Sequence, residues 1–191
     1  SIQKGGHGNS MPAFSTMKRL FVFFSLLSCV GGSAQDMKNF YRQAGHDEGT
    51  LYFVLPREMA CCGAKPGGFS GSLSYDYTYL DARDSVTMLM TVATDGIFEA
   101  DSVCFETVQG AFGFGVEPIF RMAGKREWQS RLRCVVPYGL WAEMYRASEP
   151  FVLRVFSSES GACLRFSDKG KIWKKIRPYF GKLQETIRLN R

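Results

Sequence analysis

Two runs of alternating residues, 72–80 and 85–94, constrain the fold of this chain more than any other feature of it. Separated by Asp81-Ala82-Arg83-Asp84, they read as an antiparallel hairpin. If Leu80 opposes Ser85, then Tyr79 faces Val86, Tyr77 faces Met88, Tyr75 faces Met90 and Leu73 faces Val92, all on one side of the sheet. The other side carries Ser74, Asp76, Thr78, Thr87, Thr91 and a single Leu89. A slip of one residue mixes the two sets, so the side chains themselves specify the register. A row of tyrosines can stack on a glycan, but the opposed methionines suit a sheet interior, and the face is read here as core.

Further strand patterns run over 50–55, 102–109, 118–122, 130–136, 149–157 and 162–167, with turn chemistry at Lys65-Pro66-Gly67-Gly68, Asp95-Gly96 and Ser160-Gly161. Short helices are expected over 36–44, with Phe40 and Tyr41 as apolar contacts, and around 140–147. From 168 to 190 the pattern changes period. Ile172, Trp173, Ile176, Phe180, Leu183 and Ile187 recur on one helical face, opposite Lys171, Lys174, Lys175, Lys182 and Arg188. Pro178 removes a backbone donor and is expected to kink or restart this helix near Arg177. The fold class is therefore mainly β, with α+β as its neighbour. The expected form is an antiparallel sandwich or partly closed barrel with a short N-terminal helix and a C-terminal amphipathic helix. A lipocalin-like barrel would differ in enclosing a roomy cavity, and a membrane barrel is disfavoured by the basic helix at the end of the chain.

The first residues belong to a different logic. Met17-Lys18-Arg19 is a basic start and 20–30 an apolar run of eleven, too short to span a bilayer, which needs about 20 residues. Gly32 and Ala34 supply the small residues of a cleavage site before Gln35. The division is an upstream extension over 1–16, a signal peptide over 17–34, and a single exported domain over 35–191. A lipobox-like Leu26-Leu27-Ser28-Cys29 offers the alternative of a lipid anchor on Cys29. This basic-aromatic signal, ending in Ser33-Ala34-Gln35-Asp36, resembles those of exported proteins of the Bacteroidetes type. That resemblance implies a periplasmic, envelope or secreted address and no activity.

Charge is unevenly distributed. The chain carries 24 Lys and Arg against 18 Asp and Glu, a net +6. Without Lys4, Lys18 and Arg19 the net is +3, of which 168–191 holds +6 and the rest −3. The basic footprint is confined to one helix, so no nucleic acid partner is expected. The same helix suits an anionic surface, with Lys171, Lys174, Lys175 and Lys182 as candidate contacts.

Five cysteines follow the expected cut: Cys61, Cys62, Cys104, Cys134 and Cys163. In an oxidising compartment, two disulfides and one leftover thiol are possible. Cys61-Cys62 is expected in a loop between Pro56 and Pro66, where a structural disulfide is the favoured reading. A thiol-dependent enzyme would instead pair Cys61 or Cys62 with His46 as base, oriented by Asp47 or Glu58. His46 is the single histidine after the cut and no Cys-x-x-Cys occurs, so neither a metal nor another cofactor is expected. Gly68-Phe69-Ser70-Gly71-Ser72 misses the spacing of a hydrolase elbow. Gly110-Ala111-Phe112-Gly113-Phe114-Gly115 opens no helix and is no phosphate loop. Its rings at Phe112 and Phe114 form a binding edge only if they point outward. The chain reads as an exported non-catalytic binding or accessory domain whose partner is an envelope protein or a glycan. Thiol catalysis and anionic-surface binding are the alternatives.

Overall fold

The computed structural model describes residues 37–62 and 69–191. The upstream extension, the signal peptide with Cys29 and the turn at 65–68 lie outside the described residues. Residues Asn39–Arg191 pack as one unit. Its ten strands are β1 (Tyr41–His46), β2 (Gly49–Cys61), β3 (Gly71–Leu80), β4 (Ser85–Thr94), β5 (Ser102–Thr107), β6 (Gly110–Gly115), β7 (Glu117–Ala123), β8 (Trp128–Pro137), β9 (Val152–Ser157) and β10 (Ala162–Ser167). Two helices, α1 (Tyr138–Arg146) and α2 (Gly170–Asn190), complete it.

All pairings are antiparallel, in the order β6-β5-β9-β10-β2-β3-β4-β8-β7, with β1 on the first half of β2. The sheet curls into a half-barrel. Its two edge strands, β6 and β7, are joined through Val116 alone, so the chain steps from one edge to the other at that corner. Strand twist makes such curling the natural outcome of a long antiparallel sheet.

The β3–β4 hairpin has the expected register: Tyr79 pairs with Val86, Tyr77 with Met88, Tyr75 with Met90 and Leu73 with Val92. All eight side chains are buried. On the outer face Arg131 of β8 bonds Thr91 and pairs with Asp76 at 2.5 Å, so alternation separates a dry inner side from a wet outer one.

Three expectations are corrected. A helix over 36–44 does not form across its second half: 41–46 is strand β1, and only Met37 and Lys38 carry helical backbone among the described residues. Strand β1 is polar and exposed beyond Tyr41, so hydrophobic pattern gave it no signature, and its ladder to β2 holds it. Second, Pro56 does not end β2. The strand continues to Cys61 through a register shift between Val54 and Arg57, where a missing donor is tolerated. Third, α2 does not restart at Pro178 but runs as one helix past it, with that proline on the exposed side, where water can satisfy the carbonyl of Lys174.

The concave side of the sheet is filled by the helices. Helix α1 buries Trp141, Ala142, Met144 and Tyr145, and α2 buries Trp173, Ile176, Phe180, Leu183, Gln184 and Ile187. Tyr145 stacks on Phe180 and on Trp173, while Tyr77 meets Trp141, Tyr145 and Phe180 edge-on. Ile172 is the exception to the expected apolar stripe: at 42% exposure it flanks the stripe instead of joining it. Past the helix end, Arg191 donates to the carbonyls of Asp81 and Arg83 and lies 4.8 Å above the ring of Tyr138, tying α2 to the β3–β4 turn.

Candidate functional site

The tyrosine face is consumed by the core, and the hydroxyls of Tyr77 and Tyr145 lie 3.0 Å apart in a hydrogen bond. A glycan platform on that face is thereby removed. Asp168, between β10 and α2, is buried, and its Oδ2 has no hydrogen-bond partner among the described residues. Burial pushes its carboxyl up to about 6, against a smaller opposing pull from Arg57.

Cysteine and histidine are not brought together. His46 pairs with Gly49 at one end of β2, whereas Cys61 closes the other end opposite Phe166. The intervening path is on the order of 40 Å of strand at about 3.3 Å per residue. The Nδ1 of His46 instead accepts the amide of Glu48 at 3.2 Å. The five cysteines among the described residues are all free, so the expected disulfide near Cys61-Cys62 is not formed among them. Cys61 ends a strand and does not sit in a loop. Burial raises the thiols of Cys62 and Cys163, partly countered by Arg165 and Arg154, and pushes that of Cys134 up to about 12. Thiols held in the protonated form are poor nucleophiles. Among the described residues no group of three or more His, Cys, Asp or Glu side chains is placed to hold a metal ion.

Gly110–Gly115 is strand β6, paired with β5, with Phe112 and Phe114 half-buried. The ring of Phe114 meets the buried Phe105 edge-on at 5.8 Å, which turns it inward. Near the corner at Val116 lies a groove of about 430 Å³ lined by Pro118, Phe120, Arg121, Leu132, Glu99 and Glu159, among others. Its charged groups are already engaged. Arg121 pairs with Glu99 and holds that carboxyl low, Glu159 is raised by its hydrogen bond to Glu99, and Asp101 accepts from Ser102 and Ser158.

No family model, no curated protein and no solved structure matches this chain.

The basic residues of α2 are differently placed. Lys171, Lys174, Lys175 and Lys182 are all exposed, and none of their side chains makes an ion pair or hydrogen bond among the described residues. At 100° per residue they fall within about 100° of arc, opposite the buried stripe. Exposed Ile172 and Leu189 add apolar surface to the same helix. No helix among the described residues is long and apolar enough to cross a membrane.

Sequence reasoning missed a second basic feature. Arg146 of α1 and Arg188 and Arg191 at the end of α2 line one pocket of about 410 Å³ together with Tyr138. Arg146 lies more than forty positions from its companions, and no motif or period links them.

Proposed function

We propose that this protein is an exported, non-catalytic binding domain that docks on anionic lipid surfaces through the outer side of α2. The observation that carries the proposal is the row of Lys171, Lys174, Lys175 and Lys182, solvent-facing and unneutralised on a helix whose other side is locked into the core. Stripes of charge on ordinary surface helices are usually laced with opposite-sign partners. Here Glu185 is the single acid of α2, and it pairs with Arg188. The helix segment carries +6 and the remainder of the expected mature chain −3, so an anionic surface attracts one side and repels the other, which orients the domain. Ile172 and Leu189 supply apolar contacts at headgroup depth, which favours lipid over a soluble polyanion.

The expected strength is modest. Each lysine near an anionic surface contributes about 1 kcal/mol, so four give about 4 kcal/mol, a dissociation constant near 1 mM for the stripe alone. Binding of this kind is reversible and peripheral. Absence of a Cys–His pair and the raised thiols favour binding over catalysis.

Co-sedimentation with vesicles tests the proposal. The domain is expected to pellet with phosphatidylcholine vesicles containing phosphatidylglycerol at low ionic strength and to remain free of pure phosphatidylcholine vesicles. Replacing Lys171, Lys174, Lys175 and Lys182 together with Gln should abolish pelleting and leave the unfolding midpoint nearly unchanged. A wild-type domain that ignores anionic vesicles at low salt would falsify the proposal.

A further inference from the structure

The arginine pocket between α1 and the last turns of α2 has the makings of a specific site. Three guanidiniums, Arg146, Arg188 and Arg191, and one carboxylate, Glu185, line it, so the lining carries +2, and outside the lining Arg191 also pairs at 3.6 Å with the fully exposed Asp84. Arg146 makes no hydrogen bond or ion pair among the described residues, and neither does the hydroxyl of Tyr138. Arg146 is exposed and Tyr138 half-buried, so both donors can exchange water for an oxyanion. Arg191 is fixed by the carbonyls of Asp81 and Arg83, the hydroxyl of Tyr79, the Asp84 carboxylate and its stack on Tyr138, so its charge is pre-placed. Arg188 is bonded only to Glu185, in a pair whose two side chains are 70% and 65% exposed and which is therefore readily exchanged. Gly181 on the lining is exposed, and an added Cβ there would meet nothing within 4 Å.

We infer that this pocket binds a phosphate monoester, with Arg146 and Arg188 donating to its oxygens, the Tyr138 hydroxyl donating to a third and Arg191 supplying fixed positive charge. A phosphate monoester carries close to two negative charges at neutral pH, which matches the +2 of the lining, whereas a carboxylate or a phosphodiester carries one. Guanidinium forks match tetrahedral oxyanions in geometry as well as charge. The inference rests on the surface reading only for the source of the phosphate, a lipid headgroup rather than a free solute.

Calorimetric titration of the mature chain with glycerol phosphate is the test, with acetate as the competing anion. Single-site binding is expected, strengthening from pH 5 to pH 7 as the second phosphate ionisation, near 6, is completed. Arg146→Gln should weaken it about tenfold or more through loss of a charge-assisted bond. Gly181→Phe, which adds a ring to the lining and removes no arginine, should weaken it comparably. The four-lysine Gln variant should retain it. Absence of saturable binding, equal binding of acetate, or indifference to both Arg146→Gln and Gly181→Phe would overturn the inference. Vesicles provide the second arm. A preference for phosphatidic acid over phosphatidylglycerol at equal surface charge, lost in Arg146→Gln, identifies a lipid source. Glycerol phosphate binding with no vesicle binding supports the pocket, assigns it a soluble phosphate and overturns the surface reading alone. Vesicle binding with no glycerol phosphate binding overturns the pocket alone.

Discussion

Asp168 offers a quantitative handle on the interior. Its carboxyl is 6% exposed, and Oδ2 accepts no hydrogen bond among the described residues. Burial raises it from 3.8 to about 6, with Arg57 pulling weakly the other way. Between those values the folded protein holds a proton that the unfolded chain has released, so the folded state is favoured at low pH and loses that advantage as pH climbs to about 6. The full gap corresponds to at most about 3 kcal/mol. Residual solvent near the carboxyl and the charge of Arg57 reduce this to roughly 1–2 kcal/mol. Asp168→Asn removes the ionisation and keeps the shape. Urea unfolding, followed by fluorescence of the buried Trp141 and Trp173, should find the difference between variant and wild type small at pH 4. It should grow in favour of the variant by roughly 1–2 kcal/mol at pH 7.5. The amide's own packing and hydrogen-bonding terms do not vary with pH, so the growth of the difference is the diagnostic. A difference that is constant with pH, or that shrinks as pH rises, would refute the burial argument.

Other consequences are equally direct. Tyr77→Ala should cost about 3–5 kcal/mol by opening a cavity among Trp141, Tyr145 and Phe180, whereas Tyr77→Phe should cost about 1 kcal/mol, the hydrogen bond to Tyr145 alone; urea midpoints in the reverse order would return the tyrosine face to a ligand role. Gly49 has φ of +148° and its missing Cβ would lie 2.1 Å from a carboxylate oxygen of Asp81, so Gly49→Ala should destabilise by about 1–3 kcal/mol. Gly181→Ala in α2, with open space around it, should stabilise by about 0.5–1 kcal/mol in the same assay. Intact-mass analysis of exported protein should place the N-terminus at Gln35; a start at Cys29 with added lipid mass would establish the tethered alternative.

The most legible parts of the fold were those in which large side chains recur at a fixed period. Four facing pairs of tyrosine, methionine and aliphatic residues define the β3–β4 register, and five of six stripe positions on α2 are buried, Ile172 excepted. Elements held mainly by backbone ladders were not legible. Strand β1 exposes Arg42, Gln43 and Ala44, so it shows no strand period, whereas the alternation of glycine with phenylalanine in β6 does show one. Pro56 read as a breaker because sequence does not reveal the bulge that accommodates it. Curling of one sheet, rather than stacking of two, follows from strand order, and the single-residue link between the edge strands becomes visible only once pairings are known. The lysine stripe was visible as a period. The arginine pocket was not, since it arises where α1 returns the chain to the end of α2.

The central claim is that the unpaired lysines of α2 form an electrostatic docking face, and a salt titration on vesicles tests it most directly. Partition coefficients onto phosphatidylglycerol-containing vesicles, measured from about 20 to about 500 mM salt, span Debye lengths from about 20 Å to under 5 Å. Binding of the wild-type domain should fall steeply over that range. The Lys171, Lys174, Lys175 and Lys182 to Gln variant should bind weakly throughout with little salt dependence. Equal salt dependence in the two proteins, or wild-type binding that persists at the highest salt, would contradict the assignment of this face.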